Sequence, residues 1–405
     1  MGSQTGSNAG IISYPPPRRH PLDPPPEYDR LREHEPVARV RLADGRAAWL
    51  ITRYDDVRAV YADSGRFSSD RRHPGFPVRL SARATYEDNP PLLVGMDGAE
   101  HAEMRRGLMA EFTNKRITAL RPRIQQIVDR FIDGMLAGDR PADLVAALAV
   151  PVPVVVICEH LGVPVTDQAY FRDLTIQLID PQVAESKRGA VSAELMSYLG
   201  DLVAAKDKEP ADDLLSRQLR KQREQGSVDR RMLVSQAFLL LVSGHETTAS
   251  MIQLGVLALL KHPEQLAAIQ ADAARMPRAV DELLRYFSPV EHITCRVATE
   301  DVYLRGVLIR AGDGVIMCGP AANRDGSVFA DPDRLDTGRA GAHHLAFGHG
   351  PHQCIGQNLA RAELQVTYGT LFRRIPGLRL AVDFSALRFK LRSNFYGLHE
   401  LPVTW

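Results

Sequence analysis

The sequence is short of the features that announce most simple functions. It has only four cysteines, Cys158, Cys295, Cys318 and Cys354, and no C-x-x-C pair, which argues against a disulfide framework or a cysteine-rich zinc site. The longest apolar run, Leu144 to Cys158, is too short to span a bilayer and is interrupted by Pro151 and Pro153. The first ten residues are polar and small, without the basic and apolar regions of a secretory leader. A cytoplasmic protein with reduced thiols is therefore expected. Neither sign of charge is in excess, with 50 Lys+Arg against 49 Asp+Glu, which argues against bulk binding to nucleic acid or a membrane surface. No G-x-S-x-G is present, so the nucleophile elbow of an α/β-hydrolase is missing.

What is present is a globular chain of 405 residues, 44% hydrophobic and 24% charged, a composition that excludes general disorder. The opening is proline-rich (Tyr14-Pro-Pro-Pro17, Pro24-Pro-Pro26) and reads as an extended arm over residues 1–36, packed on the body or left mobile. Residues 37–405 read as one domain, since no linker or repeat divides them. Two short strands are expected between Val37 and Thr52 around the turn Asp44-Gly45, then a helix over Tyr54–Ala62. A loop longer than most connections runs from Ser68 to Pro91. From Glu100 to about Gln270 the pattern is mostly helical, broken at Pro151, Pro164, Pro181 and Lys206–Glu209. Val228 to Leu260 contains no proline; as one helix it would be about 50 Å long and should run through a core. Helices over Pro263–Arg275 and Pro277–Phe287 follow, then short strands within 297–318, a last long helix over Gln357–Arg374 and a β-like tail from Leu378. The fold class is mainly α with small β-sheets (α+β).

The segment Phe347-Gly-His-Gly-Pro-His-Gln-Cys354-Ile-Gly356 places a cysteine just before a predicted helix. A thiolate there gains from the helix dipole and from free backbone N–H donors. Glycines let the backbone pass close to something flat and bulky. The other three cysteines read as small buried hydrophobes. The spacing Phe347-x-x-Gly350-x-x-x-Cys354-x-Gly356 resembles the haem-binding signature of the cytochromes P-450, and the resemblance extends from about Val37 to Trp405. It is strongest to soluble actinomycete members that tailor natural products.

The resemblance implies the P-450 fold, a long central helix over haem b (iron protoporphyrin IX), and Cys354 as the axial metal ligand. Phe347, Gly348 and Gly356 would complete its loop. His101, Arg105, Arg296 and His352 would receive the haem propionates, since buried carboxylates need charge-assisted donors. In Ser243-Gly-His-Glu-Thr-Thr248, Thr247 would face dioxygen and Glu246 would feed protons from solvent. Ser243 stands where Ala or Gly is commoner. For Thr247 alone, a hydrogen bond back to the carbonyl of Ser243 is the alternative. Glu282 and Arg285, at i,i+3 on a helix, would join Arg339 in a structural ion cluster. Pocket walls would include Phe76, Leu240, Ser243, Gly244, His292, Thr294 and Phe395, with Tyr86, Phe171 and Tyr396 in the same regions. Ser243, His245 and His292 would offer hydrogen bonds to the substrate.

The implied activity is a monooxygenase inserting one oxygen atom from O2 into a small lipophilic substrate. Hydroxylation is expected first, with epoxidation and oxidative coupling open. Electrons would come from a separate ferredoxin and its reductase, docking where Arg105, Arg106, Lys115 and Arg116 form a basic patch. A monomer is expected, with no membrane or nucleic-acid partner. The alternatives are a peroxide-driven haem-thiolate peroxygenase, against which the Glu246-Thr247 pair argues, and a haem-binding sensor without turnover.

Overall fold

The computed structural model describes residues 11–77, 92–179, 183–290, 294–340, 343–391 and 393–405. Its axis is the helix Arg230–Lys261. The Asp229 side chain accepts from the Met232 N–H at the start, and Pro263 opens the next helix just beyond the end, so sequence punctuation sets both limits. Most of its residues are buried on every side, as expected of a helix passing through a core rather than over it. The helices Pro151–Leu161, Glu185–Lys208 and Gln357–Arg374 pack against it, and Asn114–Ala137 packs on Gln357–Arg374. Pro151 occupies the first turn of its helix, where the missing N–H costs nothing. Pro122 lies inside the 24-residue helix Asn114–Ala137, a position that periodicity alone would have treated as a break.

The expected hairpin is present as Val37–Arg41 and Ala47–Ile51. Gly45 turns it at φ +85° with open space around it, and the Arg46 N–H donates to the Asp44 side chain. A sheet of six strands runs in the order Ile12–Ser13, Val37–Arg41, Ala47–Ile51, Gly314–Met317, Cys295–Ala298, Phe67–Ser68. Its side chains alternate between two apolar clusters: Val37, Val315 and Met317 on one face, Ala38 and Ile316 on the other. The 297–318 region adds the small hairpin Val302–Leu304 and Val307–Ile309. The tail contributes only Arg379–Leu380 and Pro402–Thr404 to a sheet of three.

The proline-rich opening is packed rather than free, and it is not wholly extended. Helix Glu27–His34 lies within it and buries Tyr28 and Leu31, while Ile12–Ser13 pairs parallel to Val40–Arg41. Among the described residues no helix is long and apolar enough to cross a membrane.

Candidate active site

The cysteine loop is built by its glycines. Gly348 and Gly350 have φ near +70°, a region L side chains rarely adopt. A Cβ on Gly350 would also fall 2.8 Å from the Tyr61 carbonyl oxygen, so the loop lies directly on the end of helix Tyr54–Ala62. The Cys354 N–H donates to the Phe347 carbonyl (2.8 Å) and the Leu345 N–H to the Asn323 side chain (2.7 Å). Arg361, one turn into the following helix, places its guanidinium 4.6 Å from the Phe347 ring centroid and donates to Asp281 at 2.7 Å.

Cys354 differs from the other three cysteines. Burial pushes the thiols of Cys158, Cys295 and Cys318 up to about 12. Burial raises Cys354 too, against the pull of the Gly356 and Gln357 backbone N–H groups and the charges of Arg105 and Arg361. It alone of the four is accessible to small molecules, although protein surrounds it deeply. That combination marks an internal cavity, with a sulfur at its wall that donors on the helix N-terminus favour as thiolate.

Beside it four basic side chains converge. His101 stacks on His352 with ring centroids 4.0 Å apart, Arg105 donates to the Gln353 carbonyl at 2.5 Å, and Arg296 donates to the Cys295 carbonyl at 2.7 Å. His352 Nε2 lies 3.1 Å from Ser69 Oγ and 3.3 Å from Asp97. Burial disfavours the charged form of all four, and they repel one another, so His101 is pushed down to about 4. Asp97 answers only in part: although burial opposes it, hydrogen bonds from His352, Ser68 and the Ser69 N–H hold its carboxyl down to about 2. The buried Nε2 of His101 has no partner among the described residues. Such a cluster is short of negative charge and fits a ligand carrying carboxylates. The donor set, the orphaned imidazole and the open sulfur together fit haem, with Cys354 able to reach its iron and the two arginines and two histidines able to donate to its propionates.

The accessible face of the central helix is Leu239, Ser243 and Thr247, one turn apart, with Val242 half-buried beside it. Ser243 Oγ donates to the Leu239 carbonyl at 2.6 Å, and Thr247 Oγ1 to the Ser243 carbonyl at 3.4 Å, the back-bonded alternative noted above. Glu246 is buried and accepts from Lys390 Nζ at 2.8 Å. Sequence spacing had put Leu240 and Gly244 on the open face, which is a register error of one residue. Leu240 is buried in the main core. A Cβ on Gly244 would meet Ile157 at 3.0 Å, so Gly244 lets two helices cross.

The other residues expected at the wall are held in several different ways. Phe76 packs in the cluster beside the six-stranded sheet with Tyr14 and Leu31, not on a cavity wall. Phe171 is fully buried in the main core. His245 is buried and bonds through Nδ1 to the Leu241 carbonyl, so it offers nothing to a substrate. Thr294 is half-buried and donates to the Met317 carbonyl at 2.8 Å. Phe395 pairs with Val290 in an isolated bridge. His292 and Tyr86 lie outside the described residues. Glu282, Arg285 and Arg339 come together: Arg285 donates twice to Glu282 (2.7 and 2.9 Å), Arg339 at 3.0 Å.

Lys390, Asp97 and Asp281 belong to the site but escaped sequence reading. Lys390 and Asp97 lie far in sequence from the groups they hold, and their residue types are common on any surface.

Comparison with known proteins agrees with this geometry. A model of the family "Cytochrome P450" matches residues 168–375. Pentalenic acid synthase of Streptomyces avermitilis is 47% identical over 395 residues, 97% of each chain. The crystal structure of cytochrome P450 MoxA from Nonomuraea recticatena superposes with a TM-score of 0.93 at 54% identity, covering 98% of this chain and 99% of that one. That of the mycinamicin VIII C21 methyl hydroxylase MycCI of Micromonospora griseorubida, bound to mycinamicin VIII, gives 0.90 at 38% identity, covering 98% and 100%. The chain belongs to the cytochrome P450 family and is a haem b-dependent monooxygenase.

Proposed function

We propose that this monooxygenase hydroxylates a small lipophilic natural product, with electrons from a separate ferredoxin and its reductase. The observation that carries the site assignment is the open sulfur of Cys354 beside a cluster of four basic side chains, two arginines and two histidines, with too few carboxylates. In this reading Cys354 ligates the iron, and His101, Arg105, Arg296 and His352 hold the two propionates. When bound, haem supplies dioxygen activation at an iron whose thiolate ligand donates electron density.

The chain's own residues then have distinct tasks. Thr247, one turn after Ser243 on the accessible face, holds a proton donor over the cavity. Glu246 stands next in sequence but points into an ion pair, so it moves protons only when Lys390 releases it. Leu239 and Val242 form an apolar roof, Ser243 gives it one hydroxyl, and Thr294 and Phe395 close the side. A mostly apolar wall with few polar groups suits a lipophilic substrate held by shape. The named relatives support that class: one is a methyl hydroxylase bound to mycinamicin VIII, another a pentalenic acid synthase.

Electron delivery would use the cysteine side. Arg106, Met109 and Lys115 are exposed there, next to the helix whose Arg105 touches the cysteine loop. A basic rim around an apolar residue suits an acidic protein partner.

The test is a spectral titration of the ferric protein with polyketides, macrolides and terpenoids, followed by turnover with a ferredoxin and reductase under labelled O2. A saturable Soret shift and a product carrying one labelled oxygen are expected. Turnover only with peroxide, without label from O2, would overturn the electron route. The reduced CO complex tests the ligand: the far-red-shifted Soret band of thiolate ligation must be present, and lost in Cys354→Ser.

A further inference from the structure

The proline-rich opening has no part in the activity so far, yet it is fastened to one segment beside the site. Residues 11–26 run to the chain around Tyr396. The Arg18 guanidinium lies 3.9 Å from the Tyr396 ring centroid, and the Tyr396 hydroxyl donates to the Pro21 carbonyl at 2.6 Å. Arg18 is braced by the Asp23 carbonyl. Leu22 is buried in the main core, and the ring of His20 stacks on Phe384 at 5.5 Å. Both the ring and the hydroxyl of Tyr396 are thus taken by the arm, and the residue is 2% exposed.

Tyr396 sits in a segment pressed from the opposite side. Its N–H donates to the Pro289 carbonyl at 2.8 Å, and Phe395 pairs with Val290. The Leu398 N–H donates to Gln253 on the central helix at 2.8 Å. At Gly397 a Cβ would lie 2.9 Å from both Gln253 Oε1 and Ser250 Oγ, so the segment has no slack toward that helix. The Lys390 N–H donates to the Gly397 carbonyl at 2.8 Å, and Lys390 Nζ reaches Glu246. The segment therefore carries two things at once: Phe395, and the counter-ion of Glu246.

We propose that the N-terminal arm is a strap that fixes residues 393–398 against the central helix, so that Arg18 and Tyr396 act as positioning residues for the Phe395 wall of the pocket. This rests on the pocket assignment above. It makes the breadth of ligands accepted depend on a residue, Arg18, remote in sequence from every wall residue. The physical reason is that a wall segment without regular sheet partners holds its shape only through such contacts.

The experiment uses haem-loaded protein and two probes that bind through a nitrogen, imidazole and clotrimazole. Imidazole is too small to touch the wall; clotrimazole must. Binding is followed at the Soret band in the parent and in Arg18→Gln, Arg18→Lys and Tyr396→Phe. In Arg18→Gln and Tyr396→Phe the clotrimazole Kd should rise about threefold or more, the size a cation–π contact or hydrogen bond supports, while imidazole binding stays unchanged. Arg18→Lys, which keeps the cation over the ring, should restore most of the difference. An unchanged ratio of the two Kd values in the Gln and Phe variants overturns the strap, and so does a parallel rise for both probes, which would mean general loosening. If imidazole gives no Soret shift in the parent, the haem-site reading itself has failed.

Discussion

Two clusters of basic side chains, one around Glu282 and one around His352, are opposites. Around Glu282 the chain supplies its own answer to every charge. Arg285 gives two hydrogen bonds to Glu282 and others to the carbonyls of Asn323 and Pro332, Arg339 adds its own, and the Asp336 N–H completes the carboxylate. Around His352 the chain supplies basic groups in excess: Arg105 and Arg296 with His101 and His352, whose charged forms burial disfavours, share one touching carboxylate among the described residues, Asp97, and His101 Nε2 is left over there. A closed cluster holds chain to chain, whereas an open one is a socket for charge that arrives from outside. The difference separates architecture from ligand binding, although both clusters are made of the same residue types.

Breaking the closed cluster should have the largest effect. Glu282→Ala leaves Arg285, 2% exposed, without its partner, and removing one member of a buried pair costs about 3–5 kcal/mol. We expect little soluble protein, and a melting temperature well below the parent's in whatever is recovered by circular dichroism. A near-parental melting curve would show that backbone carbonyls alone can hold Arg285.

Breaking the open cluster should separate stability from cofactor retention. Arg296→Leu removes a buried cation that the chain neutralises only in part, so the haem-free protein should lose little stability. Haem should nevertheless leave faster, by about tenfold or more, because a charge-assisted bond to a propionate is lost. Transfer of haem to an acceptor globin measures this. Equal destabilisation of the haem-free and haem-loaded forms would make the two clusters the same kind of object.

This contrast also explains what the sequence made legible. Local signals were readable: the limits of Tyr54–Ala62 and Gln357–Arg374 were expected as found, since caps, prolines and apolar periodicity act within a few residues. The cysteine loop was readable because its glycines are required by φ and by the approach of Tyr61. Residues whose role depends on a distant partner were not. Nothing near Lys390 announces Glu246, and nothing near Arg18 announces Tyr396. Helix faces failed by one position at Leu240 and Gly244, because a helix buried all round has no polar stripe to fix its rotation.

Asp97 joins the open cluster to the chain, and its acidity gives the comparison a pH signature. Its folded-state carboxyl is held down to about 2, below its ordinary 3.8. A depressed carboxyl adds stability that is present above the ordinary value and lost as pH falls from about 4 to about 2. At neutral pH that amounts to roughly 2 kcal/mol. Asp97→Asn should therefore lower the urea midpoint at pH 7 and lose most of that difference only near pH 2. A gap independent of pH would assign the loss to the Ser68 and Ser69 hydrogen bonds rather than to charge.

The smallest effect concerns a third case, a buried acid with no cation against it among the described residues. Glu363, on helix Gln357–Arg374, is 1% exposed, and its Oε2 has no partner among the described residues. Burial alone pushes its carboxyl well above the ordinary 4.5. The folded chain then keeps a proton that the unfolded chain releases, so stability falls as pH rises from 4.5 toward the folded value. Glu363→Gln keeps the shape and removes the charge. It should raise the melting temperature at pH 8 by about 2 °C, the order expected for about 1 kcal/mol in a chain longer than 250 residues. The gain should shrink toward pH 5, where both states hold the proton more nearly equally. A constant gain would mean that packing or hydrogen bonding, not ionisation, distinguishes the amide. A loss at pH 8 would mean that Glu363 is charged and partnered, and that a third cluster, closed like the first, lies behind the cysteine helix.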